Sequence, residues 1–381
     1  MDWVKLGDVA SYINGYSFKP SDWHRNGLPI IRIQNLTNPS AEYNYTNLEV
    51  DDKYLVNRGD ILISWSATLD VFEWEDEPAY LNQHIFKVVF DKIDINKDFF
   101  KYAVKYLLVK SSKNAHGSTM KHLTRKNFEK IKFPKYPIEK QEEIANILNQ
   151  VRSLIQTRQD QIQALDDLVE SVYYEFVFTN SQDFQKVKLD DISIVRSSSR
   201  VFKKDLIEEG VPFYRGQEIS LLSKNIEFEP EFYISEELYN SMKEKSGIPK
   251  KGDLLLPSIA NEGQIWVVDT DKEFYFKDGR VLWINLDENK EINPIYLRYY
   301  LKYKLIQEFD SISSGSTFAE LKIFILKDID VLLPPIEKQN QFAAFVEKIE
   351  KQKQILNDSL GELTDLFDSL MQDAFDGSMN N

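Results

Sequence analysis

The pentapeptide Pro-Ile-Glu-Lys-Gln occurs twice in this chain, at Pro137–Gln141 and, 198 residues later, at Pro335–Gln339. The two copies belong to a longer match, because segments before them also recur in the same order. The matching pairs are VKLGDVA and VKLDDIS (4–10 and 187–193), GLPIIRIQNL and GVPFYRGQEI (27–36 and 210–219), RGDILIS and KGDLLLP (58–64 and 251–257), INKDFFKYAVKY and INPIYLRYYLKY (95–106 and 292–303), and GSTMKHL and GSTFAEL (117–123 and 315–321). A repeat of this length predicts two copies of one structural unit, each about 180–200 residues long.

The first part of each unit has the patterns of a mixed α/β domain. Short or alternating apolar runs predict strands at corresponding places in both copies. These runs are LPIIRI, DILIS and HIFKVVF in the first unit, and VPFYRG, DLLLP and RVLWINL in the second. Helical spacing of apolar residues predicts one helix at 97–110 and another at 294–309, where Pro294 suits a first turn.

The stretch that follows each pentapeptide has a different period. Apolar residues recur at alternating steps of four and three, with Arg158 and Lys353 as polar exceptions. The two series are Ile144, Leu148, Val151, Ile155, Ile162, Leu165, Val169, Val172 and Phe176, and then Phe342, Val346, Ile349, Leu356, Leu360, Leu363, Phe367, Leu370 and Ala374. A period of about 3.5 residues predicts two coiled-coil helices, each roughly 60 Å long at about 1.5 Å per residue.

Two such helices could pair with each other or mediate homodimerisation. Intramolecular pairing is the favoured hypothesis, because two apolar seams of matched length lie in one chain, and a returning chain makes the pair antiparallel. The predicted fold class is α+β, with two tandem-duplicated mixed α/β globular domains joined by two long helices that form an antiparallel coiled coil. The predicted divisions are 1–135 and 181–332 for the globular domains, 136–180 for the central helix, and 333–381 for the distal helix and tail.

The charge of the chain is unevenly distributed. The net charge of −14 on its own argues against a polyanionic partner. Residues 97–135, however, contain 11 basic and 2 acidic residues, whereas the corresponding residues 293–332 contain 5 of each. A second basic stretch lies at 195–204. Basic regions of this kind are the electrostatic footprint of DNA-binding proteins, so binding to DNA stays possible despite the acidic total.

Sequence motifs that would indicate catalysis are missing. The chain has no G-x-x-x-x-G-K-[ST] loop, no G-x-G-x-x-G fingerprint, no H-E-x-x-H and no Asn-Pro-Pro-Tyr/Phe motif, which an amino-methylating DNA methyltransferase would need. The histidines lack metal-ligand spacing, and the absence of cysteine excludes disulfides and thiolate sites. No metal site and no cofactor are predicted, and binding is favoured over catalysis.

Targeting signals are also missing from the sequence. No apolar run approaches the roughly 20 residues of a membrane span, and the first residues, MDWVKLGDVA, do not resemble a signal peptide. We therefore expect a cytoplasmic protein without a membrane partner.

The duplicated unit, which ends in GST, a Leu and Pro-Ile-Glu-Lys-Gln and continues into a long heptad helix, resembles the specificity subunits of type I restriction–modification systems. The ending LFDSLMQDAFDG (366–377) and the duplication itself are also similar to that family. The resemblance covers essentially the whole chain, and the combination is specific although each short motif alone is weak. It implies two target recognition domains, each reading one half of a bipartite, asymmetric target in double-stranded DNA.

The resemblance also implies partners. The helices would set the spacing between the half-sites and dock two methyltransferase subunits, and restriction motor-nuclease subunits would complete the complex. The chain itself would be non-catalytic, and S-adenosylmethionine and ATP would belong to its partners. Two alternatives stay open: an acidic coiled-coil scaffold or DNA mimic, which the net charge favours, and a stand-alone DNA-modifying enzyme, against which the missing motifs count.

Candidate DNA-binding residues follow from side-chain chemistry, because Arg, Gln and Asn can make bidentate base contacts while Lys and hydroxyl groups more often contact phosphate. The candidates in the first unit are Arg32, Gln34, Asn35, Ser64, Lys113, His116, Ser118, Thr119, Lys121 and His122. Those in the second are Arg196, Arg200, Lys203, Lys204, Arg215, Gln217, Ser258, Asn261, Ser316 and Thr317. Arg32 and Arg215 occupy corresponding positions, so they could equally stabilise the shared fold, and Gly117–Thr119 could be a helix cap.

Overall fold

The computed structural model describes residues 2–38, 40–66, 68–113, 124–179, 184–312 and 320–376. The chain divides into two compact units, and each unit combines one globular part with segments of two long helices. Unit 1 comprises Met1–Gln161 and Leu356–Asn381, and unit 2 comprises Ile162–Ile355.

The globular part of unit 1 is built from short strands followed by a helix of 17 residues. Its elements are β1 (Asp2–Lys5), α1 (Leu6–Val9), β2 (Ser11–Asn14), β3 (Leu28–Ile31), α2 (Ile33–Thr37), β4 (Asn44–Thr46), β5 (Leu55–Val56), β6 (Ile61–Ser64), β7 (Asp70–Glu73), β8 (Ala79–Leu81), β9 (Ile85–Val89), α3 (Lys97–Lys113), α4 (Arg125–Phe128) and β10 (Lys132–Lys135), with 3₁₀ turns at Pro20–Asp22 and Asp52–Tyr54. The long helix α5 (Ile138–Thr179) follows.

The globular part of unit 2 repeats this order with insertions. Its elements are β11 (Gln185–Lys188), β12 (Ser193–Arg196), β13 (Val211–Tyr214), α6 (Gly216–Ser223), β14 (Tyr233–Ile234), α7 (Glu236–Ser246), β15 (Leu254–Pro257), β16 (Trp266–Val267), β17 (Tyr275–Phe276), β18 (Val281–Leu286), α8 (Pro294–Ile312), α9 (Ile323–Lys327) and β19 (Asp330–Leu333), with 3₁₀ turns at Leu189–Asp191 and Lys203–Asp205. The long helix α10 (Ile336–Asp376) follows.

The described strands of the two units pair in the same pattern. Unit 1 contains the sheets β1-β10, β2-β9-β6-β7 and β4-β3-β8-β5, and unit 2 contains β11-β19, β12-β18-β15-β16 and β14-β13-β17. One parallel pair recurs, β3 with β8 and β13 with β17, within otherwise antiparallel sheets. The six apolar runs and the two helices expected from the sequence are therefore confirmed as β3, β6, β9, β13, β15, β18, α3 and α8.

A glycine before the parallel pair is required in both units. Gly27 and Gly210 have φ values of +114° and +144°, a conformation that side chains with a Cβ rarely adopt. A Cβ at Gly27 would also lie 2.2 Å from the Thr46 carbonyl oxygen, and one at Gly210 would lie 2.5 Å from that of Ile234. The repeated glycine thus allows the neighbouring strand to approach closely.

The two long helices pair with each other in an antiparallel direction. In unit 1, Ile144 and Leu148 of α5 share a core with Met371 and Phe375 near the end of α10. In unit 2, residues 169–177 near the end of α5 share a core with residues 342–349 near the start of α10. The described heptad residues are buried or half-buried along both helices. Intramolecular pairing as an antiparallel coiled coil is therefore confirmed.

The glutamine of each Pro-Ile-Glu-Lys-Gln copy connects a long helix to the residue that precedes α3 in unit 1 or α8 in unit 2. Gln141 Oε1 accepts a hydrogen bond from the Asn96 N–H (3.0 Å), and Gln339 Oε1 accepts one from the Asn293 N–H (2.9 Å). The Nε2 atoms donate back to the backbone, at Tyr136 O and Pro334 O. Both glutamines are buried, so the recurring pentapeptide joins the globular part of each unit to its helix.

The length and polarity of the described helices bear on membrane association. None of those within the described residues has a long enough apolar stretch to cross a membrane.

Candidate nucleic-acid interface

Arg32 and Gln34 lie at one edge of unit 1, where strand β3 ends and helix α2 begins. Arg32 is the residue before the helix, and Gln34 is exposed at its second position. The Asn82 N–H donates to Ile31 O (3.1 Å), which holds the turn between β8 and β9 beside this junction. We call residues 31–34 and 82–84 the turn edge of unit 1.

The turn edge of unit 1 borders a cavity of about 520 Å³. Its polar and aromatic lining includes Trp23, Arg32, Gln34, Asn82, Gln83 and His84. The Arg32 guanidinium carbon lies 5.4 Å from the centre of the Trp23 ring, and Gln83 Nε2 lies 3.1 Å from His84 Nε2. This arrangement offers amide, imidazole and guanidinium groups side by side to a ligand.

Unit 2 has the same backbone arrangement with different side chains. The Lys277 N–H donates to Tyr214 O (2.9 Å), as Asn82 does to Ile31. We call residues 214–217 and 277–280 the turn edge of unit 2. Gln217 is exposed at the second position of α6, as Gln34 is in α2. The turn itself reads Lys-Asp-Gly-Arg instead of Asn-Gln-His.

Further contacts join β15 and the segment before α9 to the turn edge of unit 2. The Ser258 N–H donates to Arg280 O (2.9 Å), and the Leu321 N–H donates to Ser258 O (2.7 Å). Arg280 also forms an ion pair with Glu320. The structure therefore brings the predicted residues Arg215, Gln217 and Ser258 close to a turn, 277–280, that is not among the predicted residues.

Three predicted residues are buried, and two of their side chains are engaged within their own unit. Asn35 Oδ1 accepts from the Arg32 N–H (3.0 Å), and its Nδ2 donates to the carbonyls of Ala41 and Glu42 (3.3 and 3.2 Å). Ser64 Oγ bonds the Thr68 carbonyl and accepts from the Asp70 N–H. Ser258 is 2% exposed. Base contact by these side chains would require the surrounding structure to open.

The guanidinium of Arg215 is held by two carboxylates. Its Nη2 lies 2.6 Å from Glu218 Oε1 and 2.6 Å from Glu231 Oε2, and its carbon is 4.7 Å from the Phe232 ring centre. The hydrogen bonds with Glu218 raise the pKa of Arg215 above its usual value. Burial alone would raise the pKa of the Glu218 carboxyl, but the hydrogen bonds from Arg215 lower it below its usual value. This pair favours a role for Arg215 in stabilising the fold.

The other basic candidates of unit 2 differ in accessibility. The Arg196 guanidinium stacks 3.8 Å from the ring centre of Trp283, and its Nε is buried without a hydrogen-bond partner among the described residues. Arg200, Lys203 and Lys204 are exposed, as is Asn261. These four side chains can reach a partner without rearrangement.

Several predicted site residues lie outside the described residues. They are His116, Ser118, Thr119, Lys121, His122, Ser316 and Thr317. Lys113 is the last residue of α3.

The sequence did contain a signal for the two turns that were missed. Corresponding residues before the turn, Tyr80 and Tyr275, are 195 positions apart in the sequence. Corresponding residues after it, Ile85 and Val281, are 196 positions apart; they correspond because they pair with the equivalent residues Ser64 and Pro257. One insertion therefore falls within the turn. When the flanking strands pair in the same way in both copies, a difference in the length of the turn between them marks a place where the copies diverged.

The described residues contain no group of three or more His, Cys, Asp or Glu side chains that could hold a metal ion. The arrangement at the turn edges consists of hydrogen-bonding groups without an evident nucleophile–base pair.

Two copies of one mixed α/β domain, joined to long helices that pair as an antiparallel coiled coil, define a class of tandem-duplicated two-domain proteins. The family model for the type I restriction modification DNA specificity domain matches residues 1–166 and 181–365, and the chain belongs to this family. The match occurs once in each copy of the repeat. This agrees with the family resemblance of the sequence.

Individual relatives extend over nearly the whole chain. The type I restriction enzyme EcoBI specificity subunit of Escherichia coli is 24% identical over 99% of this chain and 85% of its own length. The MjaVIII specificity subunit of Methanocaldococcus jannaschii is 24% identical over 92% of this chain and 86% of its own length. The fold is similar to the crystal structure of an S subunit from M. genitalium, with a TM-score of 0.55 at 15% identity over 98% of this chain and 96% of that one. The alternatives of an acidic scaffold, a DNA mimic or a stand-alone enzyme receive no support from these similarities.

Proposed function

We propose that this chain is the DNA-reading specificity subunit of a type I restriction–modification complex, and that each globular domain reads one half of a bipartite, asymmetric target. One observation carries the proposal: the two turn edges share their backbone hydrogen bonds, but their turns differ in side chains, Asn-Gln-His at 82–84 and Lys-Asp-Gly-Arg at 277–280. A constant scaffold with variable exposed groups is what two domains need in order to read two different sequences.

The side chains of the turn edges suit base contacts in the major groove. Gln34 can bond an adenine through donor and acceptor together, and the guanidinium of Arg32 suits guanine. Asn82 Oδ1 already accepts from the Gln83 N–H (2.7 Å) and Gln83 Nε2 lies 3.1 Å from His84 Nε2, which leaves the Asn82 Nδ2 donor and the Gln83 Oε1 acceptor for a base. In unit 2, Asp278 can accept a hydrogen bond from the cytosine amino group, and Lys277 suits guanine or phosphate. The exposed Arg200, Lys203 and Lys204 suit the phosphate backbone, which supplies affinity without sequence information.

The long helices have a separate role in this proposal. They fix the distance between the half-sites, for which one turn of B-DNA sets a scale of about 34–36 Å, and their exposed faces dock two methyltransferase subunits. The proposed divisions are the recognition domains 1–135 and 181–332, the central helix 136–180, and the distal helix with its tail 333–381.

The partners would carry the catalytic steps in this proposal. The chain supplies specificity in the cytoplasm, the methyltransferase subunits bind S-adenosylmethionine, and restriction motor-nuclease subunits bind ATP. Methyl transfer by the purified chain alone would contradict this division.

Mapping methylated adenines in host cells with and without the gene tests the proposal. We expect one split, asymmetric motif that is lost on deletion of the gene. A continuous palindrome would contradict two domains that read different half-sites.

Gln34→Ala and Gln217→Ala form a matched pair for the turn edges. Each removes one exposed glutamine at the same position of its unit, so Gln34→Ala should relax one base position in one half-site, and Gln217→Ala in the other. Loss of one good base contact is worth about 1–3 kcal/mol of discrimination. An unchanged motif in both variants would show that these two glutamines do not read bases.

A further inference from the structure

A two-stranded antiparallel ribbon occurs at the same place in both units. The β1–β10 ribbon places Lys5 directly opposite Lys132, and the β11–β19 ribbon places Lys188 directly opposite Asp330. Lys5 corresponds to Lys188, and Lys132 to Asp330, at the offsets of 183 and 198 that relate the repeats. The two ribbons thus share a backbone but not a charge pattern.

The lysines of the β11–β19 ribbon are neutralised within unit 2. Lys188 Nζ lies 2.9 Å from Asp328 Oδ1 and 3.0 Å from Asp330 Oδ1, and Lys186 Nζ lies 2.8 Å from Asp330 Oδ2. Hydrogen bonds that Lys188 donates to the carboxylates of Asp328 and Asp330 raise the pKa of Lys188. Lys327 pairs in turn with Asp190 (3.0 Å). This ribbon therefore has little unpaired positive charge to offer.

In unit 1 both aspartates are replaced by lysines, Lys130 for Asp328 two residues before the ribbon strand and Lys132 for Asp330 at its start. Residues 125–135 contain five basic and one acidic residue, a net of +4, whereas 323–333 contain one basic and two acidic residues, a net of −1. The basic patch is exposed and consists of Lys5, Lys126, Lys130, Lys132 and Lys135. Among the residues that the structure describes, no carboxylate lies within 4 Å of the amino groups of this basic patch, whereas Arg125 pairs with Glu129.

The remaining lysines of the basic segment 97–135 are different, because several are already paired. Lys101 pairs with Asp98 and Glu73, Lys105 with Asp70, and Lys110 with Asp376. Among the lysines of 97–135 whose side chains the structure describes, those without a carboxylate partner are Lys97, whose Nζ donates to Gly59 O (3.2 Å), and those of the basic patch. Like charges directly opposite each other weaken a strand pair, so the Lys5–Lys132 pair costs unit 1 some stability that an anion would restore.

We infer that the basic patch of unit 1 binds the phosphate backbone of double-stranded DNA, and that unit 2 has no equivalent contact on its ribbon. The inference rests on the proposed function and deepens it. In unit 2, helix α9 begins two residues after Leu321, whose N–H bonds Ser258 beside the turn edge. Helix α4 of unit 1 corresponds to α9 at the offset of 198, and Lys126 of the basic patch lies within it.

Exchange of the charge patterns tests this inference in the complete complex with its methyltransferase subunits. Lys130→Asp with Lys132→Asp gives unit 1 the residues of unit 2, and Lys5 then gains the partners that Lys188 has. Asp328→Lys with Asp330→Lys is the reciprocal variant. Affinity for a duplex that carries the mapped motif, and for an unrelated duplex, is measured against salt concentration.

Each phosphate contact contributes about 0.9 to the slope of log affinity against log salt. We expect the slope of the Lys→Asp variant to fall by about 2, with equal losses on both duplexes and an unchanged methylation motif. The reciprocal variant should steepen the slope. Lys130→Gln with Lys132→Gln should show the same change without added negative charge, and thermal unfolding verifies that each variant is folded.

The outcomes separate the inference from the proposed function. If the unaltered complex fails to prefer its motif, the proposed function fails. If it prefers the motif but the Lys→Asp and Lys→Gln variants keep its salt slope, only the inference is overturned. If the variants lose methyltransferase subunits while the assembled fraction keeps its slope, the basic patch binds a protein and the inference is again wrong.

Discussion

The two units have similar backbones but differ in the side chains at corresponding positions, and the clearest example is the partner of an aspartate that both copies have, Asp60 in unit 1 and Asp253 in unit 2. Asp60 and Lys87 form an ion pair in unit 1 (3.1 Å). In unit 2 the corresponding Asp253 accepts hydrogen bonds from Trp283 Nε1 and Asn285 Nδ2, at 2.9 Å each. Trp283 occupies the position of Lys87 and carries the stacked Arg196 on its face. The aspartate is kept while its partner changes from a cation to an indole.

This comparison separates two kinds of position in the duplicated fold. Side chains that hydrogen-bond buried backbone groups are the same in both units, as Gln141 and Gln339 are, because a buried polar group without a hydrogen-bond partner lowers stability. Groups on exposed turns and on the outer strands of the ribbons differ, because exchange there costs little stability. Specificity can therefore change in one unit while the scaffold stays constant.

The largest expected difference between the units is in stability, because the end of α10 packs, among the described residues, into the core of unit 1 and not into that of unit 2. Phe375, near the end of α10, is fully buried against Phe99 and Tyr106 of unit 1. Phe375→Ala should lower the free energy of unfolding of unit 1 by about 3–5 kcal/mol, because it leaves a cavity in the core. Urea unfolding, combined with hydrogen exchange of α3 and α8, measures this effect in each unit.

A control for Phe375→Ala lies on the same helix. Leu366 is 46% exposed, so Leu366→Ala should change stability by less than about 1 kcal/mol. Faster exchange in α8 of unit 2, with α3 unchanged, would contradict the assignment of Phe375 to the core of unit 1.

The second prediction concerns the glutamine of the recurring pentapeptide. Gln141→Ala and Gln339→Ala should each cost about 1–3 kcal/mol, because each leaves buried backbone groups without their partners. Equal costs would confirm that the two copies have the same function, and the same unfolding experiment measures them. The exposed neighbours Glu142→Ala and Gln341→Ala are controls with little expected effect, and costs as small as theirs at both glutamines would contradict the prediction.

The sequence predicts the periodic features of the fold well. The duplication, the strands, α3, α8 and the antiparallel coiled coil all follow from patterns that are local or repeated. A heptad seam determines which face of a helix is buried, and two seams of matched length in one chain predict their pairing. These features depend on the spacing of residue types, which is visible in the sequence.

The site was less predictable, because side-chain availability depends on residues that are distant in the sequence. Lys110 is paired with Asp376, 266 residues later, so a basic segment does not reveal which of its charges are free. Asn35 has suitable chemistry for reading adenine, but its amide groups bond the backbone at Arg32, Ala41 and Glu42. Residues 82–84 form only a short turn, and their place beside Gln34 depends on the parallel pairing of β3 with β8.

The smallest expected effect is a pH dependence of stability, which arises at the start of helix α2 in unit 1 and of helix α6 in unit 2. In unit 1 the capping group is Asn35, which does not titrate, whereas unit 2 has Glu218, whose Oε2 accepts from the Arg215 N–H (2.8 Å). The pKa of Glu218 is lowered in the folded state despite its burial. The ionised carboxylate therefore stabilises the folded chain fully above the unfolded pKa of about 4.3, and this stabilisation is lost as the pH falls through the lower pKa of the folded state.

Glu218→Gln isolates this contribution, because it keeps an acceptor for the backbone N–H and removes the charge. The variant should be less stable than the original chain by about 1 kcal/mol at pH 7, since a charge-assisted hydrogen bond is lost while Arg215 keeps Glu231. This difference in the free energy of unfolding should shrink as the pH is lowered below about 4. Urea unfolding, combined with hydrogen exchange of the amides of unit 2, measures it. Glu231→Gln, at the more exposed carboxylate, is the control with a smaller effect. A difference between Glu218→Gln and the original chain that grows on acidification would show that the carboxylate is destabilising, and the asymmetry between Asn35 and Glu218 would then need another explanation.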